Sequence, residues 1–302
     1  MKRTNKIFAL ASLLLMVGWH SGTAADEVRW KFGVGDQYKV KIFQKSNLNS
    51  KVNRTRVDVD LELNCEMYWK VLSIAENGNA TIEQAFTRMQ VKVVKTAKPT
   101  IVYDTDQQSP AEKNAKHFKE VYDKLVGIRF KVEMTDRGQI QKVEPDQKDK
   151  ETLRKIPESM EARRLFEKRG LEEIYNSGGF VLPADSVEKG FQWPVRKEQK
   201  LTFGKANFET LFTYLGTGES DALARFRMEA TARLVDQPQN PAEKPMQLRK
   251  QEQTGEIQFD TRNGFLRSIV VNQEMETEKP YREMLIETVS SLEYRVTIEK
   301  SK

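Results

Sequence analysis

Cysteine is nearly absent from this 302-residue chain. Cys65 is the only one, so no intramolecular disulfide can form. Histidine is scarcer than any catalytic triad would like. Of two, His20 lies in an amino-terminal stretch that reads as removable, and a site built from several histidines is excluded once His117 stands alone. No Gly-rich phosphate loop follows a strand, no G-x-S-x-G occurs, and no Asp/Asn ladder ending in Glu suggests a calcium loop. Neither a metal nor a cofactor is therefore expected. Long apolar runs are also missing. The single candidate, Ile7 to Trp19, is about 13 residues, short of the roughly 20 that span a bilayer as a helix.

That run has a different reading. Lys2, Arg3 and Lys6 precede it and "GTAA" follows, which is the layout of an export signal cleaved after Ala24 or Ala25. A periplasmic or secreted location is the expectation. Removing residues 1–25 takes away three basic and no acidic residues, so the formal charge of +6 becomes +3. The remaining Lys and Arg are interspersed with Asp and Glu and form no basic stripe, which argues against nucleic acid as a partner.

What is present is β patterning. "VDVDLELNCEMYWKV", Val57 to Val71, places Val57, Val59, Leu61, Leu63, Cys65, Met67, Trp69 and Val71 on one face. Either the protein covers that face itself or it is a ligand surface. Asn77-Gly78 predicts a hairpin to a return strand near Ala80 to Lys95, and further hairpins are expected at Asp136-Arg137-Gly138, Gly216 to Ser220 and Asn263-Gly264. Residues 223–234 fit both a strand and a helix, with eleven alternating positions favouring the strand. Ser109 as N-cap, Pro110 and Gly127 predict a helix over 109–126, and a second helical stretch is expected over about 149–176. The fold class that follows is α+β, mainly antiparallel, with long curved strands suited to a partial barrel and helices packed on the sheet. The organisation expected is a signal over 1–25, a first β-meander half over 26–148, a helical connector over 149–178 and a second half over 179–302.

"RWKFGVGDQYKV", "VEMTDRGQIQKVE" and "VLPADSVEKGFQWPV" resemble an uncharacterised family of exported bacterial proteins, a domain of unknown function. The resemblance implies export and one continuous architecture. It implies no catalytic residues.

Three classes of function stay open. One is a noncatalytic envelope protein binding a hydrophobic ligand or lipid on a curved sheet, with Trp69, Phe86, Phe226, Met228 and Tyr294 as lining and Trp193 as an aromatic platform. The second is an envelope protein-interaction or scaffold module with a covered core. The third is a hydrolase using carboxylates such as Asp58, Asp60, Glu62 and Glu66, although these read more simply as a solvated face.

Overall fold

A computed structural model describes residues 26–107, 115–155, 180–201, 204–218, 222–235, 245–281 and 284–301. The strands in chain order are β1 (Gln37–Val52), β2 (Thr55–Ile74), β3 (Ala80–Lys95), β4 (Ile101–Asp104), β5 (Arg129–Met134) and β6 (Ile140–Pro145), then β7 (Gln192–Leu201), β8 (Gly204–Thr217), β9 (Leu223–Leu234), β10 (Gln247–Asp260), β11 (Phe265–Tyr281) and β12 (Met284–Lys300). They form one antiparallel sheet in the order β6-β5-β3-β2-β1-β12-β11-β10-β9-β8-β7, with β4 also paired to β3. Each half is a meander, and the first strand pairs with the last, so β1 and β12 lie at the centre. The ambiguous segment 223–234 is a strand, and its alternation places Phe226 and Met228 on the buried side.

The expected α+β class is corrected. Among the described residues only two short helices occur, α1 (Lys116–Leu125) and α2 (Lys150–Arg154), against twelve strands. The predicted Ser109 cap and most of the predicted 149–176 helix lie outside the described residues, as does the signal stretch. The sheet also extends further than the alternation suggests, because β1 continues past its patterned stretch to Val52. After Phe43 both faces carry Gln, Ser and Asn, which breaks the alternation that marks a strand. Its position supplies what the pattern lacks, because β2 and β12 pair with it on both sides along its length.

The sheet is strongly curled at one end. Trp30 N–H donates to Asp136 O in the β5–β6 turn at 2.7 Å, and Lys31 N–H donates to Gly264 O in the β10–β11 turn at 2.8 Å. In a flat sheet five inter-strand steps would separate those turns by about 24 Å. Adjacent residues of one chain bind both, so the turns come within about 10 Å of each other. Trp30 fills the space between, with its ring 6.4 Å from Trp69 of β2 and 5.7 Å from Phe259 of β10. Residues 180–190 complete the closure. Leu182 N–H bonds Arg137 O, Asp26 and Val187 exchange backbone bonds, and Gly190 N–H bonds Tyr214 O. One core cluster consequently draws on strands of both halves.

α1 fills a notch rather than forming a layer. The edge of β3 pairs with β5 over Ala80–Ala85 and with β4 over Gln90–Val93, and between them Gly127 N–H donates to Phe86 O. Val121 and Leu125 enter the main core, while Phe118 and Tyr122 pack with Leu61, Leu63, Val91 and Val93.

Candidate functional site

Residues paired across antiparallel strands share a face, so the inner face can be followed in rows across the sheet. Near the closed end the rows are sealed. Tyr38, Val40, Met67, Val71, Ile82 and Ile298 are each at most 1 % exposed. Beyond Ile42 and Cys65 the burial fades while the same face continues. One row reads Phe212, Met228, Gly255, Val271, Tyr294, Gln44, Leu63, Val91 and Tyr103. The next reads Val195, Thr210, Ala230, Gln253, Gln273, Leu292, Ser46, Leu61, Val93 and Ile101.

Neither row contains a charged residue, in a chain of which 31 % is charged. The row beyond them carries Lys197 and Lys95 only at its two margins. Charges lie on the other face, where Lys45, Asp60, Glu62, Glu274, Glu293 and Arg295 face solvent or each other. At the open tip Leu48 and Val57 are 42 % and 45 % exposed.

α1 covers the β2–β4 part of these rows, and in the central part on β1, β10, β11 and β12 Gly255 and Val271 are buried while Gln44, Tyr294, Ser46, Leu292, Gln273 and Gln253 are half-buried. Gln44 Nε2 donates to Ser46 Oγ at 3.1 Å, and Gln251 is held by Ala230 O and Ala232 N–H. Gln253 and Gln273 pair directly with one another. Among the described residues neither carboxamide has a hydrogen-bond partner.

The residues expected to line a ligand site fall into three places. Trp69 and Phe86 stand in the closed core beside Trp30, 4 % and 2 % exposed. Phe226 and Met228 are equally buried on the other half, where Trp193 joins them. Its ring stacks on Phe212 at 5.4 Å and meets Phe226 edge-on at 5.9 Å, with Phe180 and Phe191 around it. Tyr294 alone sits on the half-buried part of the face. Sequence reasoning missed Gln44, Ser46, Gln253, Gln273 and Leu292, whose mixture of amides, hydroxyls and leucine has no period of its own. The available signal was the lack of charge at every second position along the central stretches of four strands, β1, β10, β11 and β12.

Other chemically suggestive groups have structural surroundings. Burial pushes the Cys65 thiol up to about 12, which keeps it protonated and inert. The hydrogen bonds from Arg88 hold the Asp104 carboxyl down at about 2, with burial opposing and Gln90 assisting, and this fastens β4 to β3. Burial raises Asp36, but Lys300, the Gly33 N–H and Tyr38 outweigh it and leave the carboxyl below its usual range, tying the carboxy-terminal strand to the amino-terminal segment. Asp58 and Asp60 are on the outer face against Asn49 and Asn47. His117 is exposed on α1.

Residues 77–266 match a family of unknown function, DUF6263. The chain belongs to that family. The match runs from the β2–β3 turn to the start of β11, so it contains most of the second half of the sheet as well as β3 to β6. No curated protein matches the chain in sequence. Among solved structures it is similar to lipovitellin, in a structure of its lipid–protein interactions, at 12 % identity and a TM-score of 0.47, covering 90 % of this chain and 26 % of that one. It is also similar to an outer membrane channel from Pseudomonas putida F1, at 7 % identity and a TM-score of 0.24, covering 89 % of this chain and 97 % of that one. The chain thus spans about a quarter of the lipovitellin chain.

Proposed function

We propose that this is an exported, noncatalytic envelope protein that binds a lipid or similar hydrophobic ligand on the inner face of its curled sheet. The observation that carries the reading is the change in burial along one uncharged face. Val40 and Met67 are sealed at 1 % exposure, whereas Ser46, Leu292 and Gln273 on the same face are half-buried and Leu48 is 42 % exposed. An apolar surface that a protein does not cover itself is unfavourable in water by about 25 cal/mol per Å², and a ligand that covers it recovers that energy. Concave, largely apolar surfaces with a few hydrogen-bonding groups are the usual form of small-molecule sites. The carboxylates that a hydrolase would draw on stand on the opposite face, and the export reading rests on the basic and apolar layout of residues 1–25.

Native mass spectrometry of the protein isolated from its own envelope tests this. The expected spectrum contains an adduct of lipid mass that disappears in a Leu48→Glu, Leu292→Glu variant with unchanged far-ultraviolet circular dichroism. A bare polypeptide mass from the wild-type protein would overturn the reading. If a second protein accompanied that bare chain in fixed ratio, the face would belong to an interaction module.

A further inference from the structure

The half-buried part of the inner face has a chemistry more specific than greasiness. In the row Gln253, Gln273, Leu292, Ser46 and Leu61, hydrogen-bonding groups alternate in blocks with leucines, and no cation or anion stands in that row or the row behind it. Gln253 and Gln273 are the two groups of this row placed to act on a ligand. They are direct partners across β10 and β11, which puts their side chains roughly 5 Å apart at Cβ. Both are half-buried, and no other described residue uses their amides. Their neighbour Gln251 shows the contrast, since both ends of its carboxamide are engaged by β9 backbone.

We propose that this pair selects an uncharged amphiphile, one whose polar portion carries hydroxyl, ester or amide groups, over an anionic lipid of the same chain length. The proposal rests on the lipid-binding reading above. Two adjacent carboxamides offer four N–H donors and two carbonyl acceptors, which suits a group that both donates and accepts. A carboxylate or phosphate lying on the same row would lose its hydration with no cation to replace it, the costly case for a buried charge. On that face the nearest lysines, Lys197 and Lys95, stand one row further out at the opposite margins of the sheet.

The test compares monooleoylglycerol with oleate at pH 8, both below micelle formation. Binding is measured by calorimetry on the full mature chain and on a Gln253→Leu, Gln273→Leu variant, which keeps the volume and should fold because both positions are half-buried. The wild-type protein is expected to bind monooleoylglycerol at least roughly tenfold more tightly than oleate, and the variant to lose roughly tenfold for monooleoylglycerol with little change for oleate, since one or two net hydrogen bonds correspond to about that factor. Oleate bound as tightly as monooleoylglycerol, or a variant with unchanged preference, would overturn the selectivity and leave the lipid-binding reading standing. If wild type bound neither probe while its envelope-derived form still carried a lipid adduct, the selectivity would again be wrong. If there were neither binding nor adduct, both readings would fall together.

Discussion

Gln84 is carried into the core by one extra residue. Glu66 pairs with Arg88 but Met67 pairs with Phe86, so Thr87 is an unpaired bulge in β3. A one-residue shift exchanges the two faces of a strand. The bulge therefore keeps Met89, Val91 and Val93 inside on one side of it and Ile82 and Phe86 inside on the other, and Gln84 comes with the second set. Its carboxamide is fully buried between Trp69 and Phe130 in register, and neither its nitrogen nor its oxygen has a partner among the described residues. An unsatisfied buried amide costs about 1–3 kcal/mol. Gln84→Leu is thus expected to stabilise the protein by about 1–2 kcal/mol in urea unfolding. A loss of stability instead would mean that the amide is engaged in solution. Sequence alone predicted a return strand near Ala80 to Lys95. It could not find Gln84, because one bulge decides which of two alternating sets is inside.

At the scale of elements, the turns do more than reverse the chain. Gly78 and Gly264 both occupy positive φ, at 83° and 68°, and Asn-Gly announces each in the sequence. Their surroundings differ. A Cβ on Gly78 would meet nothing within 4 Å, whereas one on Gly264 would lie 2.3 Å from Lys31 Cβ and 2.6 Å from Lys31 N. Gly78→Ala should cost only the backbone strain, about 1–2 kcal/mol. Gly264→Ala must also displace the amino-terminal segment from the β10–β11 turn, and a loss of about 3 kcal/mol or more is expected. Urea midpoints for the two variants check this, and equal losses would show that residues 26–34 contribute little to closing the sheet. The hairpins at 77–78, 136–138 and 263–264 were legible because turn chemistry is local. The docking of residues 26–34 was not, since Trp30 and Lys31 find their partners over a hundred residues away.

Over the whole molecule, a sealed inner face at one end and a half-buried one at the other should divide stability along single strands. Local opening is easiest where few apolar contacts are buried. In β1 the amides of Tyr38 to Ile42 sit over the sealed core and those of Ser46 to Val52 over the half-buried face, although both stretches are hydrogen-bonded to β2 and β12. Hydrogen exchange is expected to be at least about tenfold faster in the second stretch and, on the lipid-binding proposal, to slow there on addition of lipid. Uniform protection along β1 would mean that the distal face is already covered. The sequence by itself determined the strands that alternate and the hairpins with Asn-Gly turns, because each depends on residues within a few positions of one another. Only the tertiary structure decided that β1 continues through Gln44, Ser46 and Asn49, that Trp69, Phe86, Phe226 and Met228 are sealed while Tyr294 is not, and that Gln253 stands beside Gln273. Those outcomes depend on which strands become neighbours and on how far the sheet curls, and the curl is held by contacts between residues distant in the chain.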